Sequence, residues 1–164
     1  FASWVGGVLA AFIIGKFEHM LETTVALAAF IPVIIGMGGN VGTQSSTIVV
    51  RGMATGRVEA GGELRLVYKE LRVGLILGVL YGILLGVFTL LPFIEAPASL
   101  GIIVGLSICS SMLIASFVGT VVPLTLQKID VDPAIATGPF VTTSIDILGV
   151  TLYFLIASVI SGVV

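Results

Sequence analysis

Apolar residues run in long blocks along this chain, separated by short polar or charged stretches. A helix needs about 20 apolar residues to cross a bilayer core of about 30 Å. Five stretches qualify or nearly do: residues 1–17, 25–50, 73–91, 98–126 and 133–164. The pattern predicts an all-α integral membrane protein, a helical bundle with five transmembrane helices. The fifth stretch opens with Asp132 as N-cap and Pro133 at the first helical position. Gly138-Pro139 is then expected to kink or break it, and Pro123 to kink the end of the fourth. Between the second and third stretches, Leu64, Val67, Tyr68 and Leu71 recur at i, i+3, i+4 and i+7. That spacing predicts a short amphipathic helix on the membrane surface ahead of the third span.

Small residues interrupt two of the apolar blocks at regular intervals. The third span carries Gly74, Gly78, Gly82 and Gly86. The fourth carries Ser107, Ser111, Ala115 and Gly119. Each row lies along one helix face and lets a neighbouring backbone come close, so both read as packing surfaces.

The second block poses a different question, because its centre is polar. In IIGMGGNVGTQSSTIVVRG, Gly36, Asn40, Thr43, Gln44, Thr47 and Arg51 recur every three or four residues. On a helix they form one polar stripe. A stripe facing lipid is costly, so it faces protein or water. Pro32, followed by Gly36, Gly38 and Gly39, is expected to loosen the helix and free carbonyls, which membrane depth tolerates only inside protein or along a water-filled path. The competing reading is hydrogen bonding between helices.

In the fifth span, VTTSIDILG places Asp146 alone as a carboxylate well inside the bilayer, with Thr142 and Gly138 at successive turns before it and Gly149 three residues after. A charge at that depth costs roughly 3 kcal/mol and marks a functional site by default. No Lys, Arg or His lies at comparable depth to neutralise it; a proton would point to a relay instead. One acid among neutral oxygens, without sulfur or histidine, suits a hard divalent cation. Mg²⁺ sheds water reluctantly, so such a site holds it largely hydrated; Mn²⁺ and Co²⁺ share the oxygen chemistry. Asp130 and Asp132 add negative potential at the inner end of the span, although Asp132 is first of all the N-cap.

Composition and charge narrow the classes further. The chain is 57% hydrophobic and 10% charged, with a mean hydropathy of +1.24, against about 25% charged residues in soluble domains. A net charge of -2 gives nucleic acid no purchase. Cys109 lies mid-span and has no partner for a disulfide within the chain. His19, the single histidine, sits at the interface, too far from the serines of the spans to activate one. An aspartyl protease needs two acids in one site, and one chain supplies one deep acid, so an enzyme is not expected. Basic residues set the orientation. Arg51, Arg57, Arg65, Lys69 and Arg72 lie between spans two and three, and Lys128 between four and five. Lys16, beside Glu18, Glu22 and Glu95, lies on the other side. Segments 51–72 and 126–138 are therefore expected in the cytoplasm and the C-terminus outside, in a multi-pass protein of the plasma (inner) membrane. The start at Phe1, already inside an apolar run, reads as a chain whose beginning lies further upstream.

PVIIGMGGNVGTQSSTIVVRGMATG, Pro32 to Gly56, and DPAIATGPFVTTSIDILG, Asp132 to Gly149, resemble the MgtE family of magnesium channels and transporters. The resemblance extends over the whole chain in span order and loop length. It implies a homodimer with five transmembrane helices per chain and a central pore lined by the second and fifth. It implies that Asp146 helps to hold a hydrated Mg²⁺. The family's ion-site and pore positions on the second helix fall on Gly39, Thr43 and Thr47, with Asn40 on the same stripe. Those on the fifth fall on Thr142 and Asp146, with Gly138 and Gly149 nearby. The family often carries asparagine where this chain has Thr43 and Gly138. Full-length members also carry a cytoplasmic N-terminal domain and a CBS pair, which this chain lacks, so residues 1–164 read as one transmembrane domain. The competing function is a Na⁺- or H⁺-coupled divalent cation carrier, which a lone buried acid fits equally well.

Overall fold

The structure, a computed structural model, describes residues 1–58, 61–91, 94 and 97–162. Glu95 and the last two residues of the fifth predicted span lie outside the described residues. Every regular element among the described residues is helical: α1 (Ala2–Lys16), α2 (Glu18–Thr23), α3 (Ala26–Ala54), α4 (Glu63–Phe88), α5 (Ser99–Lys128), a 3₁₀ turn (Pro133–Thr137) and α6 (Pro139–Ser161). Four of these, α3 to α6, are long and apolar enough to cross a membrane. With 15 residues, α1 is about 22 Å long, short of a bilayer core. Exposed Phe12, Ile76, Ile83, Ile102 and Val159 give the outside of the bundle an apolar coat, as expected of an integral membrane protein.

The helix α5 is the centre of the bundle. It packs against α3, α4 and α6, while α3 and α6 also pack on each other and α1 lies along α6. Two faces of α5 carry small residues. On one, Gly101, Gly105, Cys109 and Ser116 meet the glycine row of α4. A methyl group on Gly82 would lie 2.6 Å from the Gly105 carbonyl oxygen, and one on Gly86 2.9 Å from that of Gly101. On the other face, Ser111 reaches Gly38 of α3 and Gly149 of α6, and Gly119 lies against the backbone of Gly42. The predicted fourth-span row is thus the α3/α6 face, and a second small-residue face serves α4. Around these contacts Ile34, Ile103, Ile108, Met112, Ile145 and Val150 form the buried core. At the end of the bundle away from Arg51, Phe17 stacks on Phe154 with centroids 4.6 Å apart. There too, the Tyr153 hydroxyl donates to the Leu27 carbonyl at 2.8 Å, tying α6 to α3.

Several expectations are met and others corrected. The fifth span does break at Gly138-Pro139, where the 3₁₀ turn hands over to α6. Asp132 caps that turn, its carboxylate accepting from the Ala134 N–H at 2.9 Å. No separate amphipathic helix precedes the third span: residues 63–72 are the first turns of α4 itself. Nothing between Leu71 and Val73 interrupts the hydrogen-bond ladder, and extending a formed helix costs far less than starting one. The 26 residues of α4 reach about 39 Å, so its basic end projects beyond the hydrocarbon. Nor is the second span unwound: α3 stays α-helical through Pro32 and the glycines that follow. Packing against α5 and α6 compensates for the one donor that Pro32 lacks. Likewise α5 continues through Pro123 to Lys128.

The close approach of α4 and α5 sets a first prediction. Gly82→Val should cost the folded state about 1–3 kcal/mol, the usual range for overpacking. Gly15→Ala, where nothing lies within 4 Å, should be near neutral. Thermal unfolding in detergent compares the two, and equal stabilities would dismiss the glycine contact as a determinant.

Candidate functional site

The residues singled out in the second and fifth spans meet on one side of the bundle. Gly39 and Asp146 face each other where α3 and α6 cross. A methyl group on Gly39 would lie 3.3 Å from Asp146 Oδ1 and 4.0 Å from Thr142 Cγ2. Glycine therefore lets the carboxylate rest directly against the α3 backbone, which a larger residue would block. One turn along, the Thr43 hydroxyl donates to the Gly39 carbonyl at 2.9 Å. The Thr142 hydroxyl donates to the Pro139 carbonyl at 3.3 Å. Carboxylate, backbone carbonyl and two hydroxyls thus gather within two helical turns, all of them hard oxygen donors. Asp146 is only partly buried, and no basic side chain pairs with it among the described residues.

The stripe on α3 continues from this point. Gly36, Asn40, Gln44, Thr47 and Arg51 are exposed, and Thr43 is partly so. The opposite face of α3, with Ile34, Gly38, Val41, Gly42, Ser45 and Val49, is buried. A single copy of the chain therefore turns its polar stripe outward and its apolar side into its own core. That is the reverse of the arrangement a lipid-facing helix needs. Among the described residues, the polar stripe does not act as interhelical glue.

Other predicted positions fall elsewhere. Gly149 is buried against α5, where a methyl group would meet Ser111 Oγ at 3.2 Å. It packs α6 onto α5 and does not join the group around Asp146. Gly138 caps the start of α6, two turns below Asp146, with open space where a side chain would stand. Asp130 and Asp132 are both exposed in the segment joining α5 to the 3₁₀ turn. They share the end of the bundle that carries Lys128 and lie apart from the Gly39–Asp146 contact.

One buried acid escaped the sequence reading, which did not single it out: Glu70, within the basic segment 51–72, is 4% exposed in α4, and Ser45 Oγ of α3 donates to its Oε2 at 3.0 Å. The signal was available. Glu70 stands four residues before Gly74, so it extends the glycine row of α4 by one turn onto the face that meets the bundle. Its carboxylate joins α4 to α3 near the basic end, on the side of α3 away from the polar stripe.

A polytopic helical membrane protein with a polar face on α3 beside the Asp146 carboxylate is the class this geometry defines. The profile of the family described as "Divalent cation transporter", MgtE, matches residues 31–156, and the chain belongs to that family. It is 38% identical over 152 residues to the "Magnesium transporter MgtE" of Bacillus subtilis, covering 93% of this chain and 33% of that protein. The same comparison with the "Magnesium transporter MgtE" of Thermus thermophilus gives 35% over 158 residues, 92% of this chain and 33% of the relative. The protein of that name from Enterococcus faecalis is 33% identical over 152 residues, 93% of this chain and again 33% of the relative. The chain thus spans about a third of the length of these relatives. The family is one of transporters rather than enzymes, and no cluster of three or more His, Cys, Asp or Glu is present among the described residues.

The buried Ser45–Glu70 pair yields a second prediction. Ser45→Ala leaves a buried carboxylate without its donor and should cost about 1–3 kcal/mol. Glu70→Gln keeps an acceptor for Ser45 and should cost less. Unfolding in detergent reads both; a neutral Ser45→Ala would mean that the pair does not hold α4 to α3.

Proposed function

We propose that the chain is the transmembrane domain of a magnesium channel, conducting Mg²⁺ inward along the polar face of α3 and α6. The observation that carries this reading is the outward polar stripe of α3 beside Asp146. Lipid is a poor solvent for that face, and a second copy related by a two-fold axis supplies the same polar face in return. A homodimer joined there encloses a path with two Asp146 carboxylates, one from each chain. Two acids with surrounding carbonyls and hydroxyls hold a hydrated divalent cation by outer-shell contact, weakly enough to let it leave. Gly39 and Thr142 complete the ion site, and Asn40, Thr43 and Thr47 line the path toward the basic end. Asp130 and Asp132 lie beside its mouth, with Gly138 opening α6 there. Magnesium is the ion named for the relatives, and Mn²⁺ and Co²⁺ fit the same donors.

The charge bias places the basic end in the cytoplasm. With α1 as a fifth span, the C-terminus then lies outside. The regulatory domains expected of long family members are not among these 164 residues.

Flux tests the proposal. In liposomes containing the complete protein, Asp146→Asn should cut Mg²⁺ uptake at least about tenfold, the effect of 1.4 kcal/mol at a rate-determining site. Glu22→Gln, at an exposed ion pair with His19, should leave uptake unchanged. Equal effects of the two would remove Asp146 from the path. Uptake driven by Mg²⁺ and voltage alone supports a channel; dependence on a Na⁺ or H⁺ gradient makes the protein a carrier.

Thr43→Leu should obstruct uptake without lowering the unfolding temperature, because Thr43 projects toward the open face. Normal flux in that variant would take α3 out of the path wall at this level.

A further inference from the structure

The basic end of α4 continues into an apolar face in an order that matches a lipid. Arg65, Lys69, Arg72, Ile76, Val79 and Ile83 follow at spacings of four and three residues, so they lie along one side of the helix. All six are exposed. Arg65, Lys69 and Arg72, together with Arg57 from the preceding loop, line a cavity of about 700 Å³ that Val73 and Ile76 also line. Farther along the helix, Val79 and Ile83 border a second groove of about 480 Å³. Its floor is the glycine contact of α4 with Gly101 and Gly105 of α5.

Charge and length both select the occupant. The ion pairs among the described residues are His19–Glu22 and Lys128–Glu63, so none of these four cations is neutralised by a described acid. Arg72 lies over the Tyr68 ring, 5.5 Å from its centroid, and exposed tyrosines of this kind favour the headgroup level of a membrane. From Arg72 to Ile83 the helix rises about 16 Å, close to half of a bilayer core of about 30 Å. A soluble anion would have no use for the apolar continuation. A zwitterionic lipid brings a cation of its own to a cluster that already repels one.

We propose that this face of α4 binds an anionic phospholipid. The phosphate sits among Arg65, Lys69 and Arg72, and an acyl chain runs over Ile76 and Val79 into the glycine-floored groove beside α5. The site lies on α4, apart from the polar face of α3 and α6, and does not depend on what that face conducts.

Native mass spectrometry of the complete protein tests it, with phosphatidylglycerol and phosphatidylcholine of identical acyl chains added in equal amounts. The wild type should retain phosphatidylglycerol with about a tenfold preference, in line with the attraction of several basic residues to anionic lipid. The triple variant Arg65→Gln, Lys69→Gln, Arg72→Gln should lose that preference, whereas Lys16→Gln and the charge-preserving pair Arg65→Lys, Arg72→Lys should keep it. Equal retention of the two lipids by the wild type would overturn the proposal, as it would if a protein segment rather than lipid filled the groove. An unchanged preference in the triple variant would also overturn it. So would displacement by equimolar glycerol phosphate, which would show a site for a small anion. Retention is read without any flux, so its failure leaves the transport reading where it stood.

Discussion

Close contact between backbones around α5 is the constraint on which the rest of this bundle depends. Inside a membrane, water does not drive helices together, and association rests on dispersion and on how near the backbones come. In this chain, carbonyl oxygens of α5 and α4 lie where side-chain methyls would otherwise stand, at Gly82 against Gly105 and at Gly86 against Gly101. On its other side, Gly119 of α5 meets Gly42 of α3, and Ser111 fills the space left by Gly38 and Gly149. With α5 held on both faces, α3 and α6 have little freedom in how they cross. That crossing is what brings Gly39 within reach of Asp146.

The same packing accounts for the helix that should have been loosened. Pro32 and the glycines after it lower the intrinsic stability of α3. Yet its inner face is pressed against α5 and α6, and Tyr153 adds a hydrogen bond to the Leu27 carbonyl. Gly38, Gly39 and Gly42 thus act as points of close approach rather than as hinges. One consequence is chemical: the oxygens offered near Asp146 come from hydroxyls and from the surface of an intact helix, a sparse donor set. For the proposed channel, sparse donors suit an ion that keeps most of its water.

The arrangement of α3 also separates two kinds of polar residue that its sequence interleaves. Ser45 and Ser46 are buried, and Ser45 is tied to Glu70 of α4. Asn40, Gln44 and Thr47 are exposed. Buried serines fasten the bundle; among the described residues, the exposed Asn40, Gln44 and Thr47 make no hydrogen bond to a side chain of another helix. The proposed dimer and pore give that stripe a polar neighbour.

Much of this was legible from residue order. Long apolar blocks, rows of glycine every fourth position and the Asp132-Pro133 cap have local causes, hydropathy and backbone preference, and these act before any helix meets another. The polar stripe and the lone deep aspartate were visible for the same reason, since a helix converts spacing into a face. What residue order left open depends on which face meets which helix. Glu70 drew no notice in the basic segment, and only a continuous α4 turns it toward Ser45. Gly149 looked like a neighbour of the site until α6 turned it toward Ser111. The pairing of Gly39 with Asp146, more than a hundred residues apart in the chain, exists only once α5 has set the crossing of α3 and α6. Periodicity along one helix fixes neither its rotation about its axis nor its depth against another; packing at the backbone does.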